Sequence, residues 1–371
     1  MQRFYEIIPG VLTWATIVLM VVASWQLPIA AAVFIILFDT YFLLKAVYLS
    51  FHLRASFRLM KQNLATDWIG ALDELGSGAQ NNLAELGMTS WREVHHLVLF
   101  PMSTEPYEVV RESFESVANA TYAKDRMLAV LAIEQRLGDG PRQVAKRIEQ
   151  EFSGSFARFL ITEHPAALPG ELPGKGSNET WAAKEAKKHI IDELHLDPKK
   201  VLVSVFDVDT QVPSGYFARL THAYLTAPQP LRAIYQPIPL FVNNIFNAPA
   251  LARVISFSTT FWQMMQQSRP ERLTSFSSQS IPLKVLLDIG YWHVDVVSED
   301  SRIFWQCLLH YHGDFRVEPL AYPVSMDANV APSFWRTLKN LYKQQRRWAW
   351  ERRTCRIFST VSGAIPQFRA A

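Results

Sequence analysis

Two long apolar stretches open the chain. Residues 7–25 carry no charge, and residues 27–44 are broken only by Asp39. Each is long enough to cross a hydrocarbon core as a helix, and Gln26, Leu27 and Pro28 make the turn between them. Residues 50–93 are mixed and read as linker helices lying against a membrane or the next domain. From Val94 short apolar runs begin to alternate with stretches of helical spacing. Residues 95–100, 127–133, 156–161 and 201–206 read as strands. Residues 107–121, a segment opened by Pro141 and running to about 152, and a segment ending near 194 read as helices. That alternation predicts a parallel, doubly wound α/β sheet. Beyond it, 213–225 and 250–265 read as helices. The five prolines at 228, 230, 237, 239 and 249 predict irregular chain between them. Residues 281–289 are a further apolar element, 301–312 a helix, 315–324 a strand, and 333–350 a basic helix rich in tryptophan.

Charge and composition add direction. Lys45, Arg54, Arg58 and Lys61 follow the second apolar stretch, and the turn between the stretches carries no positive charge. Counted by positive charge, both ends of the hairpin face the cytoplasm, which predicts a multi-pass inner-membrane protein with its main body cytoplasmic. Trp25 and Tyr41 suit membrane interfaces. Asp39 is either functional or placed near an interface beside Lys45. With 37 basic and 34 acidic residues the net charge is only +3, too balanced for a nucleic-acid protein. Cys307 and Cys355 lie far apart, without metal-ligand spacing.

The acidic residues gather where strands end. Asp207-Val208-Asp209 closes the run 201–206, Glu105 follows the first strand, and Glu134 ends the second. In open α/β sheets ligands bind at the C-terminal ends of strands. Strand alternation would aim Asp207 and Asp209 to one side, where a hard divalent cation would find oxygen ligands. His95 and His96, adjacent on a strand, face opposite ways and read as structural. Lys175 stands between Gly174 and Gly176, which let a backbone approach a phosphate, although the spacing is not a Walker A loop. Ser298-Glu299-Asp300 precedes a helix. Asp300 is either a helix-start carboxylate or a general base for an acceptor hydroxyl. Trp305 either packs or stacks on a sugar. Gln344 and Arg347 share one helix face, and Arg suits phosphate oxygens. The same basic helix would also lie well on anionic lipid.

Taken together, these residues resemble a membrane-embedded family 2 glycosyltransferase of the GT-A fold, the branch holding cellulose, hyaluronan and chitin synthases. The marks are the 101–106 loop with Glu105, Gly174-Lys175-Gly176-Ser177-Asn178, Asp207-Val208-Asp209, Ser298-Glu299-Asp300, and Gln344-x-x-Arg347-Trp348. The resemblance implies a GT-A mixed sheet behind a transmembrane hairpin, with divisions near 1–50, 51–93, 94–330 and 331–371. It implies a metal-dependent, inverting transfer from a UDP- or GDP-linked sugar to a saccharide or lipid-linked acceptor. Asp207 and Asp209 would hold the metal, Mg²⁺ or Mn²⁺. Pro101, Glu105, Glu134, Lys175 and Asn178 would meet the nucleotide, and Asp300 with Glu299 would carry catalysis. Gln344, Arg347, Trp348 and Trp305 would meet the diphosphate and the acceptor. Two departures stand out. Ile133-Glu134-Gln135 replaces the family's Asp-Asp pair, and only about twenty residues follow Trp350, without a further apolar span. Either the chain is a fragment, which is the expectation, or it does not translocate its product; an additional membrane subunit is the partner that could supply a channel.

Overall fold

The computed structural model describes residues 2–76 and 81–350; the tail expected at 351–371 lies outside them. Two helices come first, α1 (Gln2–Gln26) and α2 (Pro28–Ala65), followed by α3 (Trp68–Gly76). The body then runs β1 (His95–Pro101), α4 (Tyr107–Ala118), β2 (Met127–Glu134), α5 (Asp139–Phe152), β3 (Arg158–His164), α6 (Lys175–Ala186) and β4 (Val201–Val205). It continues α7 (Tyr216–Thr226), β5 (Ala233–Phe241), α8 (Ala250–Gln266), β6 (Ser280–Pro282), α9 (Leu283–Ile289), α10 (Glu299–His310), β7 (Arg316–Met326) and α11 (Phe334–Trp350).

The strands form one seven-stranded mixed sheet in the order β3-β2-β1-β4-β6-β5-β7. All neighbours are parallel except β6, which runs against both β4 and β5. Alternation along the central strands sorts their side chains onto two faces. Val98, Phe100, Ala129, Leu131 and Leu202 enter one core, under α3, α4, α5 and α7. Leu97, Leu99, Leu128, Val130, Val201 and Val203 enter the other, under α6, α9 and α10. Burial on both faces explains why these strands read as continuous apolar runs. The chain winds outward from β1 to β3, then returns to place β4 on the other side of β1. The crevice between β1 and β4 is therefore the topological switch point.

The proline-rich stretch is not irregular. Pro237 and Pro239 lie inside β5. Proline removes a ladder donor, so it survives only where no strand asks for that donor. Here β7 pairs along one side of β5, while β6 touches the other side only at Tyr235. On that open side Thr260 of α8 takes over, donating to the Pro239 carbonyl (3.1 Å) and accepting from Phe241 N. Pro141 sits in the third position of α5 rather than opening it.

The two N-terminal helices are long and apolar enough to cross a membrane, and their apolar side chains are exposed from Ile7 to Leu64, Trp25 at 85% and Ile29 at 82%. α2 does not stop where a linker was expected. It runs on unbroken and buries a stripe of Ser56, Met60 and Asn63 against the body. Met60 packs with Ile238 and Met264, and His52 Nδ1 lies 2.9 Å from Ser268 Oγ. Asn63 Nδ2 donates to the carbonyls of Leu320 (3.3 Å) and Ala321 (2.9 Å). Ala321 holds a positive φ of 45°, and its N–H donates to Gln267 Oε1. Gln267 in turn donates to the Gln236 carbonyl, beside the register shift where β5 and β7 bulge. One buried amide network thus ties α2 to the bulge.

Asn63→Ala leaves the two β7 carbonyls without that donor. The expected outcome is a loss of about 1–3 kcal/mol of stability, seen as a lower thermal midpoint in detergent, whereas the neighbouring exposed Gln62→Ala leaves the midpoint unchanged.

Candidate functional site

The site is assembled at the switch point. β4 ends at Val205, so Asp207-Val208-Asp209 belongs to a turn, closed by Thr210 N donating to the Asp207 carbonyl (2.8 Å). Strand alternation therefore does not govern the two aspartates, and they face neighbouring compartments. Asp207 opens into a cleft of about 650 Å³ whose lining includes Lys175, Glu299, Asp300, Trp305, Gln344 and Arg347. Asp209 opens into an adjoining space of about 390 Å³ with Glu105 and Asp327. Phe241, Thr259 and Gln344 border both. Groups more than a hundred residues apart in sequence thus share one cavity system.

Lys175 lies at the centre of the charge. It is the first residue of α6, and Gly174 before it has φ +151°, a backbone shape that side chains rarely adopt. Gly176 is equally constrained, since a Cβ there would stand 3.1 Å from Glu299 Cβ and 3.2 Å from the His293 carbonyl. These glycines press the helix start against α10. Lys175 Nζ then sits 2.6 Å from Asp207 Oδ1, 3.4 Å from Glu179 Oε1 and 3.6 Å from Glu299 Oε1. The other oxygen of Asp207 accepts from Ser277 Oγ (2.5 Å).

The surroundings decide which of these groups stay charged. Burial opposes the ammonium of Lys175, but Asp207, Glu179, Glu299 and Asp300 outweigh it and push its pKa well above the usual value. Burial also opposes the charge on Asp207, yet Lys175 and Ser277 hold it below the usual carboxylate range. For Glu179 burial wins, raising it well above that range. Glu299 rises to about 7 for the same reason. The ammonium is therefore balanced chiefly by Asp207.

Asp209 has no such partner. Its Oδ1 is buried without a hydrogen bond, and Oδ2 accepts only from Asp327 N (3.3 Å). Burial, with Asp207 and Asp327 nearby, pushes its pKa up to about 8. An unpaired buried carboxylate costs several kcal/mol, so this oxygen calls for a proton or a cation. The pair Asp207 and Asp209 thus fits a divalent ion. Among the described residues no set of three or more His, Cys, Asp or Glu side chains is arranged to hold a metal alone. Such an ion would take its other ligands from water or phosphate.

Other expected site residues are placed differently. Glu105 accepts from Ser103 N (2.7 Å) and reaches the second compartment. Pro101 ends β1, Glu134 is buried in a two-bond pair with Arg136, and Asn178 donates to the Ala132 carbonyl. These three stand apart from the lining of both compartments. Trp348 lies on α11, and its side chain is outside the described residues. The histidines are structural, with His95 on the Glu93 carbonyl and His96 on Thr221 Oγ1. α11 docks through Leu341, which joins Ile245, Ala248, Ala252 and Ala328, so the basic helix does have a seat on the body.

Three contributors escaped the sequence reading. Glu179 stands four residues after Lys175 on one helix face, a spacing that could have exposed it. Ser277 lies in a polar stretch, Phe276 to Ser280, that carries no motif of its own. Asp327 follows β7 with no local signal at all.

Residues 202–368 match the family model described as "Glycosyl transferase family group 2". No curated protein matches the chain. Among solved structures, a mannosyltransferase, PcManGT from Pyrobaculum calidifontis, in complex with GDP-Man and Mn²⁺, is 14% identical, with 85% of each chain covered and a TM-score of 0.45. S. aureus TarS 1-349 in complex with UDP-GlcNAc is 12% identical, with 64% of this chain and 60% of that one covered and a TM-score of 0.41.

Asp209 and Glu299 both bind protons more tightly folded than unfolded. The stability they contribute is complete in acid and is lost as pH rises through about 7 for Glu299 and about 8 for Asp209. Asp209→Asn should therefore stabilise the metal-free protein at pH 8, on the order of 2–4 kcal/mol, and leave it unchanged at pH 4. Thermal unfolding at the two pH values, in chelator, measures the difference.

Proposed function

We propose that the chain is a membrane-anchored, inverting glycosyltransferase. It passes a sugar from a nucleoside-diphosphate donor, UDP- or GDP-linked, to a saccharide or lipid-linked acceptor, in the manner of polysaccharide synthesis. The observation that carries this reading is the meeting of Asp207, Lys175, Asp300 and Arg347 in one cleft at the switch point. The family match over 202–368 supports it. α1 and α2 serve as the anchor, with the basic residues after the hairpin favouring a cytoplasmic body.

Each residue takes a role that its setting allows. Asp300 is the general base. Its backbone carbonyl is fixed by Ser275 Oγ (2.6 Å) and Gln279 Nε2 (3.2 Å), and its Oδ1 accepts from Ser301 N (2.8 Å). That leaves Oδ2 to take the proton from an acceptor hydroxyl as it attacks. A single displacement needs one such carboxylate, unlike the pair of a glycosidase. Arg347 and Lys175 receive the charge that develops on the departing diphosphate. A divalent ion held by Asp207 and Asp209 would add Lewis-acid stabilisation of that same charge. Glu299 supports Lys175 at 3.6 Å, and Gln344 and Trp305, in the lining of the cleft, would meet the acceptor, a role the resemblance also assigns to Trp348. Trp262 of α8 lines the cleft, and Val254 and Phe261 of the same helix are exposed.

The test is a screen of radiolabelled nucleotide sugars with the detergent-solubilised chain and Mn²⁺ or Mg²⁺. Transfer, or slow donor hydrolysis, is expected. Asp300→Asn should lower kcat by about 10²–10⁴-fold with donor binding kept. Arg347→Ala should cost about 10²–10³-fold. Full activity in Asp300→Asn or Asp209→Ala would reject the mechanism, and a chain that binds no nucleotide sugar under any condition would be an inactive scaffold instead.

A further inference from the structure

Both oxygens of Asp207 are already engaged. Oδ1 is taken by Lys175 Nζ at 2.6 Å and Oδ2 by Ser277 Oγ at 2.5 Å. Asp209 differs, because its Oδ1 is buried and unpartnered. The two carboxylates that fit a divalent cation are therefore in different states of readiness. One is open, and the other is covered by the chain's own cation.

Lys175 also has somewhere else to go. Its ammonium also lies 3.4 Å from Glu179 Oε1 and 3.6 Å from Glu299 Oε1, acids that would keep it paired if it left Asp207. It lines the same cleft as Arg347, where an anionic diphosphate would lie. An ammonium and a divalent ion cannot share the Asp207 oxygen, since two cations at contact distance repel strongly in a partly desolvated site. The backbone cannot withdraw the lysine, because Gly176 is wedged against Glu299 and the His293 carbonyl. The exchange must be made by the side chain alone, by rotation about its own torsions.

We propose that Lys175 is a latch on Asp207. It occupies the cation's place until a nucleoside diphosphate draws it into the cleft, so that divalent ion and diphosphate enter together and neither binds well alone. This rests on the proposed donor and metal use of the cleft, and adds to it an order of assembly and a residue that enforces it. Such coupling is reciprocal by thermodynamic necessity. Its value to a transferase lies in withholding the ion until a donor is present.

The experiment measures Mn²⁺ binding directly, by the electron paramagnetic resonance signal of free Mn²⁺, with the full chain in detergent. Wild type, Lys175→Met and Lys175→Met/Asp207→Asn are compared, each without nucleotide and with UDP or GDP. The latch predicts weak binding to wild type without nucleotide, and binding about tenfold tighter or more in Lys175→Met. That gain should vanish when Asp207→Asn is added. Lys175→Gln, which keeps a hydrogen-bond donor toward Asp207, takes the place of the methionine variant if that one does not fold. Equal Mn²⁺ affinity in wild type and in the lysine variants, or a gain that survives loss of Asp207, would overturn the latch while leaving the metal reading intact. Absence of Mn²⁺ binding in every protein, with and without nucleotide, would overturn both.

Discussion

Charge balance around one half-buried ammonium governs this molecule. Asp207, Glu179, Glu299 and Asp300 come from three separate segments of chain, and folding brings them around Lys175. Without that cation the cluster would be a set of like charges in a poorly solvated space, which proteins avoid by protonation or by unfolding. The fold is arranged to deliver it. Gly174 takes a conformation open to glycine, Gly176 leaves room for Glu299, and α6 starts at the rim of β1 and β4. Asp209 shows the opposite case, an acid two residues on to which the described residues supply no cation. The contrast between the two aspartates is the electrostatic signature of the site.

The sheet explains why these groups can meet at all. β1 and β4 lie side by side at the point where the winding reverses, so the loops after them diverge and leave a crevice. β6, short and antiparallel, then brings the 276–280 segment against β4, with Ser204 and Ser280 joined at 2.7 Å. Ser277 therefore lands on Asp207. Gln236 of β5 fixes the same segment, accepting from Phe276 N and donating to the Ser277 carbonyl. The buried amides beneath the β5–β7 bulge thus continue, bond by bond, to the carboxylate in the cleft.

Much of this was legible in the sequence where one local rule acted alone. The doubly buried strands announced themselves as apolar runs, and the acids at 207, 209, 299 and 300 stood at strand ends or a helix start. Legibility failed where a distant partner decided the outcome. Pro237 and Pro239 argue against a strand by every local rule, and β5 forms because β6 is too short to need their missing donors. The aspartates at 207 and 209 looked like strand neighbours, yet the strand stops at Val205. Asp327 and Glu179 join the site through long-range packing and a helix turn, and composition gives no hint of either. Glu134, an acid at the matching strand end, is paired with Arg136 two residues on, a local contact its position in the strand did not announce.

The uninterrupted course of α2 bears on how the protein can be handled. Its final turns supply His52, Ser56, Met60 and Asn63 to the body, all beyond the apolar stretch that ends near residue 44. A boundary drawn at the apparent edge of the lipid-soluble part, or anywhere in the following twenty residues, cuts through a structural member. A soluble version meant for crystallisation has to begin before His52 and carry an exposed helical stub, because trimming that stub would strip the lid from the polar network under the bulge.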